Sequence, residues 1–195
     1  MKKSKLESFC SIMNGHSFRG KIIEESEGNV KVVQLSDIDE LNGVNFEKLI
    51  QTNLEISKTK NEILLKDGDI LCVSKGPRLY SICLKNVPDN IVANFHVTII
   101  RPLKADILPE FLSWTLNNSQ KYFTQMSQGS AVSHLSKSQL AELEVEIPVL
   151  KVQKQIIELE NLKNTEKKLL LKLSEARNVF TSACQKQILT NFKEL

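Results

Sequence analysis

The chain is poor in the residues that mark chemistry. Three of its 195 residues are histidine and four are cysteine. His16, His96 and His134 make no HExxH or His-x-Glu pattern, and Cys10, Cys72, Cys83 and Cys184 make no CxxC pair. No zinc-ligand spacing is therefore present, and reduced thiols are expected. There is no glycine-rich phosphate loop, no GxSxG elbow and no Asn-Pro-Pro-aromatic or Asp-Pro-Pro-aromatic tetrad, so the sequence offers no catalytic constellation. Asp67 and Asp69 flank Gly68, which reads as a solvent-exposed turn rather than a metal site. No apolar run approaches the roughly 18 residues of a membrane span. The basic start, Met1-Lys2-Lys3-Ser4-Lys5, leads into no apolar signal core, which predicts a cytoplasmic protein with Lys2, Lys3 and Lys5 in a disordered tail. Aromatics are only 6% of the chain, too few for a single-strand stacking platform. Trp114, Phe111 and Phe123 fall at helical spacings and read as core.

Glycine and proline are missing altogether between Val149 and Asn191. Apolar residues recur there at three- and four-residue steps: Val152, Ile156, Leu159, Leu162, Leu169, Leu173, Ala176, Phe180, Ala183 and Ile188. This is the pattern of one amphipathic helix of coiled-coil type. At about 1.5 Å per residue it is about 60 Å long, twice the width of a small domain. A domain of this size cannot cover such a stripe, so a partner helix is required. Charge divides the same way. Residues 1–148 hold 17 Lys+Arg and 18 Asp+Glu, a net of −1, while residues 149–195 hold 9 and 5, a net of +4, which together give the overall +3. The first part is not a nonspecific electrostatic clamp on phosphates.

The first 148 residues read as short strands followed by helices. Asn14 to Gly20 is turn-rich, and Lys31 to Leu35 reads as a strand. A turn at Lys66-Asp67-Gly68-Asp69 leads into a strand at Ile70–Ser74, and a turn at Lys75–Arg78 leads into Leu79–Leu84. Ile91 to Ile100 reads as one strand, with Phe95, Val97 and Ile99 alternating to one side. Pro109 suits the first turn of a helix through Leu116, extending towards Phe123. Ser136 and Gln139 form a capping box for a short helix, and Leu143–Ile147 is an alternating edge-like strand stopped by Pro148. The expected fold is α+β: a mixed, strand-rich domain over 1–148 followed by a long helix over 149–195.

A series of short segments resembles one half of the DNA-specificity subunit of type I restriction-modification systems. They are Phe18-Arg19-Gly20-Lys21-Ile22, Val33-Gln34-Leu35-Ser36-Asp37-Ile38, Leu65-Lys66-Asp67-Gly68-Asp69-Ile70-Leu71, Lys75-Gly76 and Ala93-Asn94. Then come Leu108-Pro109-Glu110-Phe111-Leu112, Gly129-Ser130, Leu135-Ser136-Lys137-Ser138-Gln139-Leu140, Val145-Glu146-Ile147-Pro148 and Gln153-Lys154-Gln155-Ile156. Each is weak alone; in this order they cover nearly the whole chain. The resemblance implies a target recognition domain followed by a spacer helix. Typical members carry two of each, the helices packed antiparallel, whereas this chain has one of each. It therefore implies a homodimer through antiparallel long helices, reading two inverted half-sites.

The resemblance further implies that the chain binds double-stranded DNA and directs a methyltransferase (modification) subunit, and with a translocase subunit cleavage, to its site. It would carry no cofactor of its own, S-adenosylmethionine belonging to the methyltransferase subunit. Base reading requires donors and acceptors on loops. The candidates are Ser17, Arg19 and Lys21 in the first loop, and Lys75, Arg78 and Tyr80 around a rigid turn. Gln128, Ser130, Ser133 and His134 in a polar loop, with Lys58 and Lys60 as phosphate contacts, complete the set. Each also reads as a solvated surface residue. The alternative function is a non-catalytic regulatory protein that docks through its long helix onto a specificity or methyltransferase subunit.

Overall fold

In the computed structural model, residues 2–55, 62–75, 78–119, 121–123 and 136–193 are described. They form a strand-rich first part, with several short helices, that runs into a helix of 44 residues. Four antiparallel strands make the main sheet: β2 (Cys10–Asn14), β10 (Thr98–Pro102), β7 (Ile70–Lys75) and β8 (Arg78–Cys83), in that spatial order. The run Ile70-Leu71-Cys72-Val73 explains why β7 is central. Its side chains alternate between two cores, Ile70 and Cys72 in one, Leu71 and Val73 in the other, and all four are buried. A strand covered on both faces needs an unbroken apolar run.

On one face lie α1 (Pro109–Asn118) and α2 (Lys137–Ala141), whose Leu112, Leu116 and Leu140 join Phe9, Ile70 and Ile100. The other core takes Val33, Ile38, Leu49, Ile91 and Ile99. A second sheet runs β6 (Ile50–Thr52), β3 (Val30–Val33), β9 (Ile91–Ala93), with β3 and β9 parallel. β4 (Ile38–Asp39) and β5 (Gly43–Val44) form a small hairpin. Helix α1 closes the open edge at β8. Ser81 N–H donates to Asn117 Oδ1 at 2.7 Å, Asn117 Nδ2 donates to the Ser81 carbonyl at 2.9 Å, and Ser81 Oγ donates to the Ser113 carbonyl at 3.0 Å. An edge whose backbone groups are occupied in this way is a poor template for another chain.

The capping box stands as read: Gln139 N–H donates to Ser136 Oγ at 3.2 Å and Ser136 N–H to Gln139 Oε1 at 2.9 Å. So does the strand ending at Pro148, β11 (Glu144–Ile147). Four expectations need correction. Lys2–Lys5 is no disordered tail but strand β1, paired antiparallel with β11; Lys3 meets Glu146 of that strand at 3.6 Å, and Lys5 meets Glu142, at the end of α2, at 2.5 Å. Ile91–Ile100 is not one strand; it breaks at residues 94–97 and its halves join different sheets. Trp114 is only partly buried, stacked on Phe111 at 5.8 Å. Asp69 is not in solvent: it is 1% exposed and takes Arg101 Nε and Nη2 in a two-pronged ion pair, both at 2.6 Å. Arg101 also donates to the carbonyls of Glu62 and Leu64, at 3.1 and 2.8 Å, and Asp69 Oδ2 accepts from Lys66 N–H. This fork-to-carboxylate geometry makes the turn an anchor for the main sheet.

Helix α3 (Leu150–Lys193) belongs to two compact units, Met1–Ile157 and Glu158–Leu195. Within the first unit its opening turn is fixed by Gln153, whose side chain is fully buried. Gln153 Oε1 accepts from Leu108 N–H at 2.9 Å, and Nε2 donates to the carbonyls of Asp106 and Pro148, both at 2.8 Å. Leu108 is the N-cap of α1, and the amide of Gln153 satisfies its backbone N–H, one of the donors a helix start leaves without an intrahelical partner. In the second unit, considered alone, Leu159, Leu162, Leu169, Leu173 and Phe180 are 61–70% exposed.

Candidate nucleic-acid interface

Sheet register decides which loops meet. β10 pairs with β2 from Thr98↔Asn14 and with β7 from Thr98↔Cys72, and β7 pairs with β8 out to Lys75↔Arg78. Since neighbouring strands are antiparallel, the end of β2, the start of β10, the end of β7 and the start of β8 all lie at one end of the sheet. Two candidate regions separated by more than fifty residues thus set out from the same sheet end: the segment that leads into Ser17, Arg19 and Lys21, and the hairpin with Lys75 and Arg78 at its base. The backbone of Lys75 and Arg78 is described, but their side chains are not.

The first loop is fastened to the turn at 94–97. Gly15 N–H donates to the Val97 carbonyl at 3.0 Å, His16 N–H to the Ala93 carbonyl at 2.7 Å, and Phe95 N–H to the His16 carbonyl at 2.8 Å. A Cβ at Gly15 would stand 2.3 Å from the carbonyl oxygens of Ala93 and Asn94, so only glycine permits this approach. His16 and Phe18 meet edge to face with ring centres 4.7 Å apart, and Phe18 packs against the cluster of Val30, Val32 and Val92, so the loop rests on the second sheet. Ser17, Arg19 and Lys21 are exposed. A fastened loop with exposed cations suits phosphate or base contact, because little freedom is lost on binding.

Tyr80 serves the fold: it is half-buried, packs against the second core and donates its hydroxyl to the Ile38 carbonyl at 3.1 Å. Lys58, Lys60, Gln128, Ser130, Ser133 and His134 lie outside the described residues. Reading from sequence missed Phe95 and His96, which the turn between β9 and β10 presents to solvent at the same sheet end. The signal for that turn was Asn94, whose side chain favours local bonds over a strand ladder.

A cavity of about 640 Å³ borders Asp37, Asp39, Asn42 and Glu47 and has no Lys or Arg among its lining residues, the opposite of a phosphate groove. Among the described residues, no group of three or more His, Cys, Asp or Glu is placed to hold a metal, and no helix is long and apolar enough to cross a membrane. Burial pushes the thiols of Cys10, Cys72 and Cys83 up to about 12, so they are protonated and inert at neutral pH.

The family model for the type I restriction modification DNA specificity domain matches residues 1–175. The chain belongs to this family. No curated protein sequence matches it. Among solved structures, this specificity-domain chain is similar to the HsdS subunit from Thermoanaerobacter tengcongensis, at 15% identity and a TM-score of 0.61, over 89% of this chain and 39% of that one. It is also similar to the type I restriction-modification S subunit from M. genitalium, at 15% identity and a TM-score of 0.54, over 91% and 44%. A third match comes from a type I R-M system studied for its complex assembly, at 16% identity and a TM-score of 0.59, over 87% and 39%. At these identities the likeness shows the fold. The chain spans less than half the length of each of these solved structures.

Proposed function

We propose that this chain reads a specific DNA sequence and directs a type I methyltransferase subunit, and with a translocase/nuclease subunit cleavage, to that site. In this reading residues 1–148 are the target recognition domain and residues 149–195 the spacer helix. The observation that carries it is the shared sheet end from which the Arg19 loop and the Lys75–Arg78 hairpin both extend, within a chain matched over residues 1–175 by the DNA-specificity family. Arg19, Lys21, Lys75 and Arg78 take phosphates or guanine, and Ser17 either a phosphate or a base edge. S-adenosylmethionine is held by the methyltransferase subunit.

A second copy of the chain is the proposed cover for the long helix. From Leu159 to Ala183 the seam alternates steps of three and four without a fault: Leu159, Leu162, Glu166, Leu169, Leu173, Ala176, Phe180, Ala183. The order supports an antiparallel self-pairing centred near Leu171. Leu173 then lies beside the partner's Leu169, Phe180 beside the partner's Leu162, and Leu159 beside the partner's Ala183, so that large residues face small ones at the ends. Glu166, polar within the seam, falls beside the partner's Ala176 and next to the partner's Arg177. One polar seam position offset by an opposite charge favours one register over its neighbours. The resulting two-fold dimer reads a split palindrome.

The alternative is a regulatory protein that docks by the same helix onto another specificity or methyltransferase subunit, and the exposed seam serves that reading equally. The loops distinguish them. Arg19→Ala combined with Lys75→Ala and Arg78→Ala abolishes sequence-selective DNA binding if the chain reads DNA, and leaves the activity of a regulator intact. Selective binding that survives all three changes refutes the proposal.

A further inference from the structure

We infer that Phe95 is an additional specificity-determining residue, an apolar reader of a thymine methyl group in duplex DNA, held for that purpose by the turn at 94–97. The inference rests on the DNA-recognition reading above and names a contact within it.

Strand alternation would bury Phe95 with Val97 and Ile99, which are both 0% exposed, yet Phe95 is 48% exposed. The cause is a turn in which four successive backbone N–H groups are occupied. Asn94 N–H donates to the Val33 carbonyl at 2.8 Å, Phe95 N–H to the His16 carbonyl at 2.8 Å, His96 N–H to Asn94 Oδ1 at 3.2 Å, and Val97 N–H to the Asn94 carbonyl at 2.9 Å. A loose surface loop does not bind all its donors; this one holds an aromatic ring in water on a rigid base. The His96 ring stands edge to face with Phe95, centres 5.3 Å apart, which limits the orientations open to the phenyl group.

Position supplies the rest. The turn leads directly into Thr98, the residue of β10 that pairs with both Asn14 and Cys72. The turn holding Phe95 therefore lies between the end of β2, which leads into the loop bearing Arg19 and Lys21, and the end of β7, which leads into the hairpin based on Lys75 and Arg78. Cations on both sides engage the two phosphate rails and set the depth of approach, and the residue between them faces the groove. A phenyl group has no hydrogen bond to offer there. The thymine C5-methyl is the apolar feature of the major-groove code, absent from cytosine and from both purines.

The test is binding-site selection from a randomised duplex pool with the full-length wild-type chain, Phe95→Ala and Phe95→Leu, followed by titration of the enriched duplex and of the unselected pool. Phe95→Ala is expected to lose base preference at one T·A position and to bind the enriched duplex about tenfold more weakly. Its binding to the unselected pool and its salt dependence stay unchanged. Phe95→Leu keeps the preference, and replacing that thymine by uracil weakens the wild type while leaving Phe95→Ala unaffected. An exposed side chain carries little of the fold, so the thermal midpoint of Phe95→Ala should match the wild type. If Phe95→Ala enriches the same motif with the same preference at every position, the inference is overturned while the DNA-recognition reading stands. If the wild type enriches no motif, both are overturned.

Discussion

Leu173→Glu places a charge at the centre of the seam proposed for self-pairing. Leu173 is 66% exposed in the single chain, so about two-thirds of the leucine's burial energy is still to be gained on pairing. Full burial of a leucine is worth about 1.5–3 kcal/mol. Two-thirds of a middle value, doubled because a two-fold dimer contains the site twice, gives about 3 kcal/mol. That is a rise of at least about a hundredfold in the dimer dissociation constant. Desolvation of the two glutamates adds to it. Glutamate is nearly as good a helix former as leucine, so the helix itself persists. Light scattering over a dilution series reads the result: wild type at twice 22.1 kDa, Leu173→Glu falling to one chain at micromolar concentration, helical circular dichroism unchanged. A wild type that is monomeric at micromolar concentration, or a Leu173→Glu that dimerises as tightly, refutes the seam.

Other consequences are as definite. Gln153→Leu removes three hydrogen bonds from a buried site and should cost about 3 kcal/mol at roughly 1 kcal/mol each, seen as a lower denaturation midpoint. Asp69→Ala leaves Arg101 without its carboxylate and should cost about 3–5 kcal/mol in the same assay, far more than Asp67→Ala at the exposed side of that turn. Iodoacetamide at pH 8 should alkylate Cys184 alone in folded Leu173→Glu protein, since the other three thiols titrate near 12; mass spectrometry showing early labelling of Cys10 or Cys72 would contradict their burial. Gly15→Ala must push the 94–97 turn away and should weaken selective DNA binding together with stability, by about 1–3 kcal/mol in the latter.

Much of this architecture is legible in the amino-acid order, and the exceptions have physical causes. The long helix, the capping box at Ser136 and the central run Ile70–Val73 follow from spacing, which depends on neighbours in sequence. Strand β1 was illegible because Lys2–Lys5 has no apolar pattern; it forms because a glutamate-bearing strand about 140 residues later accepts it. The break at Asn94 was hidden by the apolar alternation of Phe95, Val97 and Ile99, which outweighs a single asparagine in any pattern count. Asp69 looked like a turn carboxylate, and only the register that brings Arg101 across from it reveals the ion pair. The candidate interface shows the same division. Its residue types stood out singly, but the shared sheet end from which their loops set out is a property of pairing between β2, β10, β7 and β8. Cations and polar side chains on loops give no base code without that geometry.

Strand-resolved mapping of adenine methylation tests the central claim most directly. The chain is expressed with a methyltransferase subunit encoded beside it, and a matched control lacks the chain. The account predicts methylation that depends on this chain, at two inverted half-sites around a fixed spacer. Arg19→Ala, Lys75→Ala and Arg78→Ala together should abolish it. Methylation that is the same with and without the chain, from a soluble complex, would contradict the claim.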